Sequence, residues 1–479
     1  MEIGDIFNFF KKPKQRSYAY DASRESRADE PFDKLATQGE IMRGMERPIL
    51  LARARALERT NPLIGAILSA LKNNVIGIGF NMQARSPDEK FNKRIEELWK
   101  EWEHHENCDY TQQQGLTDLL KLILCRYFVD GGILITFPMD KEREIPLTIQ
   151  LHTVDSFDSL EGFKADKNHV LVDGIEMDTG GKVIAYWIKQ TLSDGYTEIE
   201  PIRIDAKDAI YLWNKSMPNQ SREITQLARD IIPAKDLMDY INVVAMQQKL
   251  MASMAIFVER DQGATGVVGR GINTTDGKRI EKFEGGTISY LRNGERMKQP
   301  MPTGQASEVG NYMPLQQRLI SADLGLSLES TARNVERVNY SSARQNLLSD
   351  KVTYDTMKKT LVEYVLRPLY KRFIDVCELK GYLDDTSFKR GDKRFYKADW
   401  LAPSIGWIDP RKEAEANSIN LMNGGKSFQE FCAEQGVDWR ERIDAMKEVQ
   451  DYAKQQGVEL SFNSMNGGEK DDKEDKEND

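Results

Sequence analysis

The stretch from Ile231 to Asn346 constrains the chain more than any other. It opens with IIPAKDLMDYINVVAMQQKLMASMAIF, where Pro233 falls in a first helical turn that tolerates it and no other proline or glycine interrupts the run. A helix over residues 234–254 would be roughly 30 Å long at ~1.5 Å rise per residue. Its apolar residues (Leu237, Met238, Ile241, Val244, Ala245, Leu250, Met251, Met254) occupy more than one face, whereas a lone surface helix keeps a narrower stripe. A Gly-rich, β-leaning insert follows. A second helix is predicted over residues 311–324, with Pro314 near its first turn. A short polar loop, STARNVERV, then leads into a long helical run that begins NYSSARQNLLSD. Helix, small β-module, helix, basic-tipped loop, helix is an order suited to mechanics rather than catalysis.

With 479 residues the chain can hold two to four domains and bury a substantial core. Hydrophobic residues at 40% and charged residues at 30% indicate a soluble globular protein. No run of ~18 apolar residues occurs, and MEIGDIFNFFKKPKQR lacks a signal-peptide layout, so no membrane and a cytoplasm-like compartment are expected. The four cysteines (Cys108, Cys125, Cys377, Cys432) lie far apart without a CxxC, which predicts a reduced, disulfide-free protein. Lys plus Arg is 67 against 76 Asp plus Glu, a net charge of −9. Tight sequence-independent DNA binders are strongly basic because phosphate neutralisation supplies their affinity, and this chain is not of that kind.

Residues 1–45 are polar and irregular and read as a mobile arm. From Arg47 the pattern is helical: Leu50, Ala54 and Leu57, then Ile64, Ile67, Leu68 and Leu71, with Asn61-Pro62 breaking the run. Residues 75–80 read as a turn into a strand. A helical block over 88–106 ends in WKEWEHHENCDY, where His104, His105 and Cys108 cluster without a zinc-type spacing, so an ordinary helix end is the reading. Residues 116–129 form an amphipathic helix ended by Asp130-Gly131-Gly132. Residues 133–137 and 147–152 read as paired strands, and residues 169–190 as a two-stranded hairpin about Asp178-Thr179-Gly180-Gly181. A further strand ends at Leu212, so residues 46–230 read as an α+β unit with a mostly antiparallel sheet.

Motifs for chemistry fail in detail. GATGVVGRG orders its glycines the wrong way for a dinucleotide cradle, and Gly424-Gly425-Lys426-Ser427 has Asn420 where a phosphate-binding loop needs its first glycine. No GxSxG or HExxH occurs, and His152 and His169 fall in strands, where a surface or hydrogen-bonded histidine is the ordinary outcome. Carboxylates are plentiful, but sequence alone does not pair them into an active site. No catalytic residue, metal ligand or cofactor site is therefore assigned. TISYLRNGERM reads as a hairpin about Arg292-Asn293-Gly294. Beyond Asn339 a helical run reaches Leu379 with Pro368 kinking or dividing it, FYKADWLAPSIGW reads as extended, and helices follow over 409–422, 428–433 and 439–456. The end, GGEKDDKEDKEND, has seven acids against three lysines and is expected to be disordered.

The order of these motifs resembles the lambda-type portal proteins of tailed bacteriophages, from about Arg47 to Leu460. The likeness is carried by RARALERTNPLIGAI before NNVIGIGF, by CDYTQQQGLTDLLKLILCRYFVDGGILITF, and by the DGIEMDTGGKVIAYWI hairpin with IDAKDAIYLW. It continues through GGTISYLRNGERM, VNYSSARQNLLSD and WIDPRKEAEANSINLM, of which NYSSAR is the most specific. A departure falls before the first long helix, where the family's RxGQxRG is SMPNQSRE: Gln220 and Arg222 are kept, while Asn219 and Glu223 replace the glycines.

The resemblance implies a ring, normally of twelve copies, at one capsid vertex, through which double-stranded DNA passes during packaging and ejection. It implies an α+β portal fold with an arm (1–45), a wing (46–230), stem helices (231–256 and 303–327) and a clip between them (257–302). A tunnel loop (328–338), a tunnel helix with further wing (339–400), a helical crown side (401–460) and an acidic tail (461–479) complete it. Its implied partners are further copies of the chain, the terminase large subunit, major capsid and scaffold proteins, and head-completion or adaptor proteins. Its implied location is the virion, with assembly in the host cytoplasm. Arg333, Asn334 and Arg337 fall in the tunnel loop, Asn339, Tyr340, Ser341, Ser342 and Arg344 in the tunnel-helix motif, and Arg292, Asn293 and Gly294 in the clip. The two loop arginines would supply weak phosphate contacts or pair between subunits with Glu329 or Glu336. A nucleic-acid enzyme or motor subunit is the alternative, and a shell-type adaptor a third.

Overall fold

A computed structural model describes residues 40–158, 169–191, 198–218, 220–253, 306–333, 339–402 and 410–458, with four short strands between 257 and 298. Helix α1 (Glu40–Thr60) starts seven residues before the expected helical pattern and carries Pro48 inside it. The Asn61-Pro62 break acts as a cap: the Asn61 side chain accepts from Leu63 N at 2.9 Å and opens α2 (Pro62–Leu71), with Pro62 in the first turn. The same side chain donates to the Ala234 carbonyl at 2.9 Å, linking this helix pair to a helix far along the chain.

Residues 75–80 do not turn directly into a strand. A π-helical turn, Lys72–Ile76, prolongs the helix because Val75 and Ile76 are fully buried beside the α2 core, and β1 (Asn81–Ala84) begins only after Gly77. Asp88 caps α3 (Glu89–Trp102), α4 (His105–Cys108) is a single turn, and α5 (Leu116–Val129) matches its expected limits. At its end Gly131 has φ 86°, and a Cβ there would meet the Ile224 carbonyl oxygen at 2.3 Å, so only glycine fits.

Two antiparallel sheets follow. In the first, β2 (Gly132–Thr136) lies between β3 (Gln150–His152) and β8 (Ala209–Trp213). In the second, β4 (His169–Val172), β5 (Ile175–Asp178), β6 (Val183–Thr191) and β7 (Glu198–Asp205) run in chain order. The expected two-stranded hairpin over 169–190 is therefore three strands. The extra turn sits at Asp173-Gly174, both with positive φ, and sequence alternation alone did not reveal it.

Helix α6 (Ile231–Ser253) then runs to β9 (Phe257–Arg260), β10 (Ile272–Asn273), β11 (Arg279–Ile280) and β12 (Glu295–Lys298), which pair as β9–β12 and β10–β11. Helix α7 (Ala306–Asp323) starts earlier than expected, so Pro314 lies in its interior, where it removes one backbone donor. The loop expected from residue 328 instead begins as a helical turn, α8 (Leu328–Ala332). Helix α9 (Tyr340–Leu361) continues through a π-helical turn, Val362–Leu366, into α10 (Arg367–Leu379), with Pro368 in the first turn after it. Strand β13 (Ala398–Leu401) and helices α11 (Pro410–Met422), α12 (Phe428–Glu434) and α13 (Trp439–Gln455) end the described chain.

The core joins distant parts. Strand β1 pairs antiparallel with β13, Asn81 opposite Leu401 and Ala84 opposite Ala398. Beside them the Trp99 ring meets Trp102 and Phe373 at 5.0 Å and Trp400 at 5.4 Å between centroids. Edge-to-face arrangements of this kind stabilise beyond their buried area.

The segment between β8 and α6 is held by an internal ion pair. Arg222 Nε lies 2.8 Å from Glu223 Oε2, with the two residues 5% and 1% exposed. The guanidinium also donates to the Val154 carbonyl at 2.9 Å and to the Asp173 carbonyl, and it stacks over Phe157 at 4.4 Å. Glu223 accepts from the Tyr211 hydroxyl as well. Glu223, which departs from the family pattern, thus supplies the counter-charge that Arg222 needs here. Replacing Glu223 with Ala is expected to destabilise the chain by about 3–5 kcal/mol in urea unfolding, the usual cost of stranding one member of a buried pair. A cost below about 1 kcal/mol, typical of exposed pairs, would show that water reaches the site.

Candidate functional site

The end of α7, the short α8 and the start of α9 are tied into one knot. Gly325, φ 71°, closes α7 with Leu326 N donating to the Ser321 carbonyl at 2.9 Å. Ser327 caps α8, and the Thr331 hydroxyl lies 2.8 Å from that of Ser321. From α9, the buried Asp350 carboxylate accepts from Ser327 N at 2.7 Å, from its Oγ at 2.6 Å and from Ser330 Oγ. Thr353 Oγ1 adds a bond to the Gly325 carbonyl at 2.7 Å. Asp350 was within the motif singled out in the sequence, but nothing local assigns it to two serines some twenty residues upstream.

Arg333 follows directly from this knot. It is exposed, left-handed (φ 51°, ψ 33°), and makes no ion pair with Glu329 among the described residues. Asn334 and Arg337 lie outside the described residues, as do Arg292, Asn293 and Gly294. At the far end of that segment Asn339 caps α9 by accepting from Ser342 N at 2.8 Å. Ser341, Ser342 and Arg344 are exposed on the first turns of α9, and only the backbone of Tyr340 is described. Arg333 thus directly follows the Ser327–Asp350 knot, while Asn339 caps the start of the helix that supplies Asp350.

Helices α6 and α7 pack through Tyr240 and Tyr312, whose rings meet edge to face at 4.9 Å. Ala234, Leu237, Ile320 and Leu324 are buried within the chain. Ile232, Val243 and Met246 on α6, and Leu315 and Leu319 on α7, are at least half exposed. The excess of apolar faces seen in the sequence is thus divided between an internal contact and an open surface.

Where α6 begins, Asp230 is 4% exposed, and its Oδ2 finds no donor among the described residues. Burial, then the nearby Asp323 charge, push its carboxyl up to about 7, while Arg229 opposes the shift. Arg229 Nε reaches Asp323 Oδ2 at 3.1 Å. Sequence alone did not point to this acidic pair, because its members are far apart along the chain.

No group of three metal-ligating side chains occurs among the described residues. In the His104–Cys108 cluster, Cys108 Sγ donates to the Glu103 carbonyl at 3.3 Å, and burial pushes its thiol up to about 12. The four cysteines are all buried and free. No described helix is long and apolar enough to cross a membrane.

The described residues thus combine exposed apolar faces on α6 and α7 with a hydrogen-bonded root before the segment that carries Arg333. The model of the lambda family of phage portal proteins matches residues 36–358, and the chain belongs to that family. Its role is that of the DNA conduit at the portal vertex. It is 24% identical to a probable portal protein of Halomonas phage phiHAP-1 over 387 residues, 77% of this chain and 73% of that one. To portal protein B of Escherichia phage lambda it is 18% identical over 439 residues, 81% of each. A chain from the neck of a native gene transfer agent particle, computed with C12 symmetry, aligns with 82% of this chain and 98% of its own at 10% identity and a TM-score of 0.43.

Asp230 also sets a pH dependence. Its folded pKa lies above the ordinary carboxylate value, so the folded state holds a proton that the unfolded chain releases, and stability should fall as pH rises from about 4 to about 7. Asp230→Asn is expected to flatten that part of the stability profile, read from urea midpoints across pH. An unchanged profile would place the titration elsewhere.

Proposed function

We propose that this chain assembles into a closed ring, twelve copies in the virion, with α6 and α7 as stem helices around an axial channel. The observation that carries this reading is the open apolar surface on α6 and α7, with Val243, Met246, Leu315 and Leu319 exposed. A heterologous interface that closes on itself covers such a face in every copy without leaving an open end. The ring is the portal-fold architecture, with residues 46–230 as most of the wing, 257–302 as the clip and 401–460 as the crown side. The clip docks the terminase large subunit during packaging and head-completion or adaptor proteins afterwards, and the rim meets major capsid and scaffold proteins. The chain has no catalysis of its own, and hydrolysis belongs to the motor. Its place is the capsid vertex of the virion, reached after assembly in the host cytoplasm.

The net charge of −9 suits a passage through which DNA slides, since many strong phosphate contacts would resist movement. Against that background Arg333, Asn334 and Arg337 form the tunnel-loop contacts. The Asp350 knot supports this role because it holds the root of the loop steady while the tip meets a moving duplex.

Particle imaging of the purified chain should show twelve-fold rings with an axial hole, and mass measurement should give about 660 kDa from closed cyclic assembly of a 54.8 kDa chain. A stable monomer or dimer at every salt concentration would overturn the ring. Exchanging Arg333 and Arg337 together for alanine should leave rings intact and reduce the DNA packaged per particle severalfold. Unaltered filling would remove the phosphate-contact role.

A further inference from the structure

A cleft of about 960 Å³ lies between α9 and the C-terminal helices α11 and α12. Its α9 wall carries Arg344, Lys351 and Lys358, seven residues apart, and Lys426 stands on the facing side. On a helix, steps of seven stay on one face and place successive charges ~10.5 Å apart. Most of the cleft's acids are already engaged. Glu434 and the Asn417 side chain hold Lys426, Glu430 closes the α12 capping box with Ser427, and Asp355 lies 3.6 Å from Lys358. Arg344 and Lys351 are exposed and make no ion pair among the described residues. Burial holds the Lys358 ammonium below the ordinary lysine range; Asp355 counters this, and the Lys351 charge adds to it. The α9 wall thus offers two exposed cations without an ion pair, Arg344 and Lys351, in line with Lys358, which Asp355 engages.

The chain itself carries a matching anion. Residues 469–479 read EKDDKEDKEND, with lysines at 470, 473 and 476 and acids at 469, 472 and 475 and again at 471, 474 and 477. In an extended chain with three residues per turn this period puts the lysines on one edge and acids on the other two, repeating every ~9.3 Å. That repeat is close to the spacing of the basic row. The tail also starts within reach: the first turn of α13 packs on the end of α12 through Arg442 and Gln435, and the described chain ends three residues past the other end of α13, at Val458. The eleven residues from Val458 to Glu469 can span up to ~36 Å when extended, more than the length of α13, ~25 Å.

We propose that the acidic tail of this chain, residues 469–479, docks in its own α9–α12 cleft against Arg344, Lys351 and Lys358. Seated there, it covers a basic row that would otherwise hold polyanions such as duplex DNA, which keeps grip away from a protein that must let DNA pass. The docking itself rests on charge and spacing within one chain and does not depend on ring formation.

Carbodiimide coupling of the full chain, which joins lysine amines directly to carboxylates in contact with them, tests it. Mass spectrometry should find residues 469–479 joined to Lys351 or Lys358 far more often than to the exposed Lys93 or Lys100. The links should fade severalfold in 1 M salt. Lys351→Glu should reduce tail coupling at Lys358 as well. A full-length variant with the tail acids changed to Asn and Gln should bind duplex DNA severalfold more tightly at low salt, and adding Lys351→Glu should cancel the gain. Coupling spread evenly over surface lysines, unaltered coupling in Lys351→Glu, or no gain in DNA binding would each overturn the proposal. Mixed isotope-labelled and unlabelled chains giving links only between copies would overturn docking within one chain.

Discussion

The buried pair Arg222–Glu223 is the constraint from which the rest of the arrangement follows. Placing two charges out of water costs several kcal/mol per ion unless each is fully engaged. Here the guanidinium is engaged by Glu223, by the carbonyls of Val154 and Asp173 and by the Phe157 ring, and the carboxylate by the Tyr211 hydroxyl. These partners come from the strand edge, the Asp173-Gly174 turn and the floor between the sheets. Satisfying one arginine therefore fixes where the sheets stand at the point where the chain leaves for α6. Gly131, pressed against the Ile224 carbonyl, and Asn61, bonded to Ala234, hold the same junction from two other sides.

A second constraint works at the same end of α6 and α7, where Asp323 closes α7 beside Arg229 and Asp230. Asp350 draws Ser327 and Ser330 onto α9, so the segment carrying Arg333 leaves from a fixed root. In the proposed tunnel role this root would pass load from the loop to a satisfied hydrogen-bond network and not to a frayed helix end. The aromatic contacts of Trp99 with Phe373 and Trp400 do the corresponding work for the body of the chain. They bind its first third to its last third, so helices α6 and α7 depart from and return to one core.

Much of this was legible in sequence where the signal is local. Asn61-Pro62, residues 116–129, Asn339 and the 231–254 run each combine a capping residue or breaker with helical spacing, and each helix runs close to its expected limits. The misreadings share a cause. The turn at Asp173-Gly174, the interior position of Pro314 and the helical turn at Leu328–Ala332 depend on neighbours distant in the chain, which override local preference. The Asn339 cap was visible as the change from a polar, basic loop that begins at Arg333 to helical spacing. Asp350, Asp230 and Glu223 were not, because a carboxylate declares its role only through the groups folded around it.

By itself, then, the sequence determined an α+β chain, long helices with more apolar surface than one chain can bury, the absence of an intact catalytic motif, and the order of parts that its family shares. Those are properties of spacing and composition, which act over a few turns of chain. The tertiary structure decided which apolar faces close internally and which stay open, which acids meet to share burial, and which cations line the α9 cleft. Those outcomes depend on groups tens to hundreds of residues apart being brought within about 3 Å, the range over which hydrogen bonds and desolvation act.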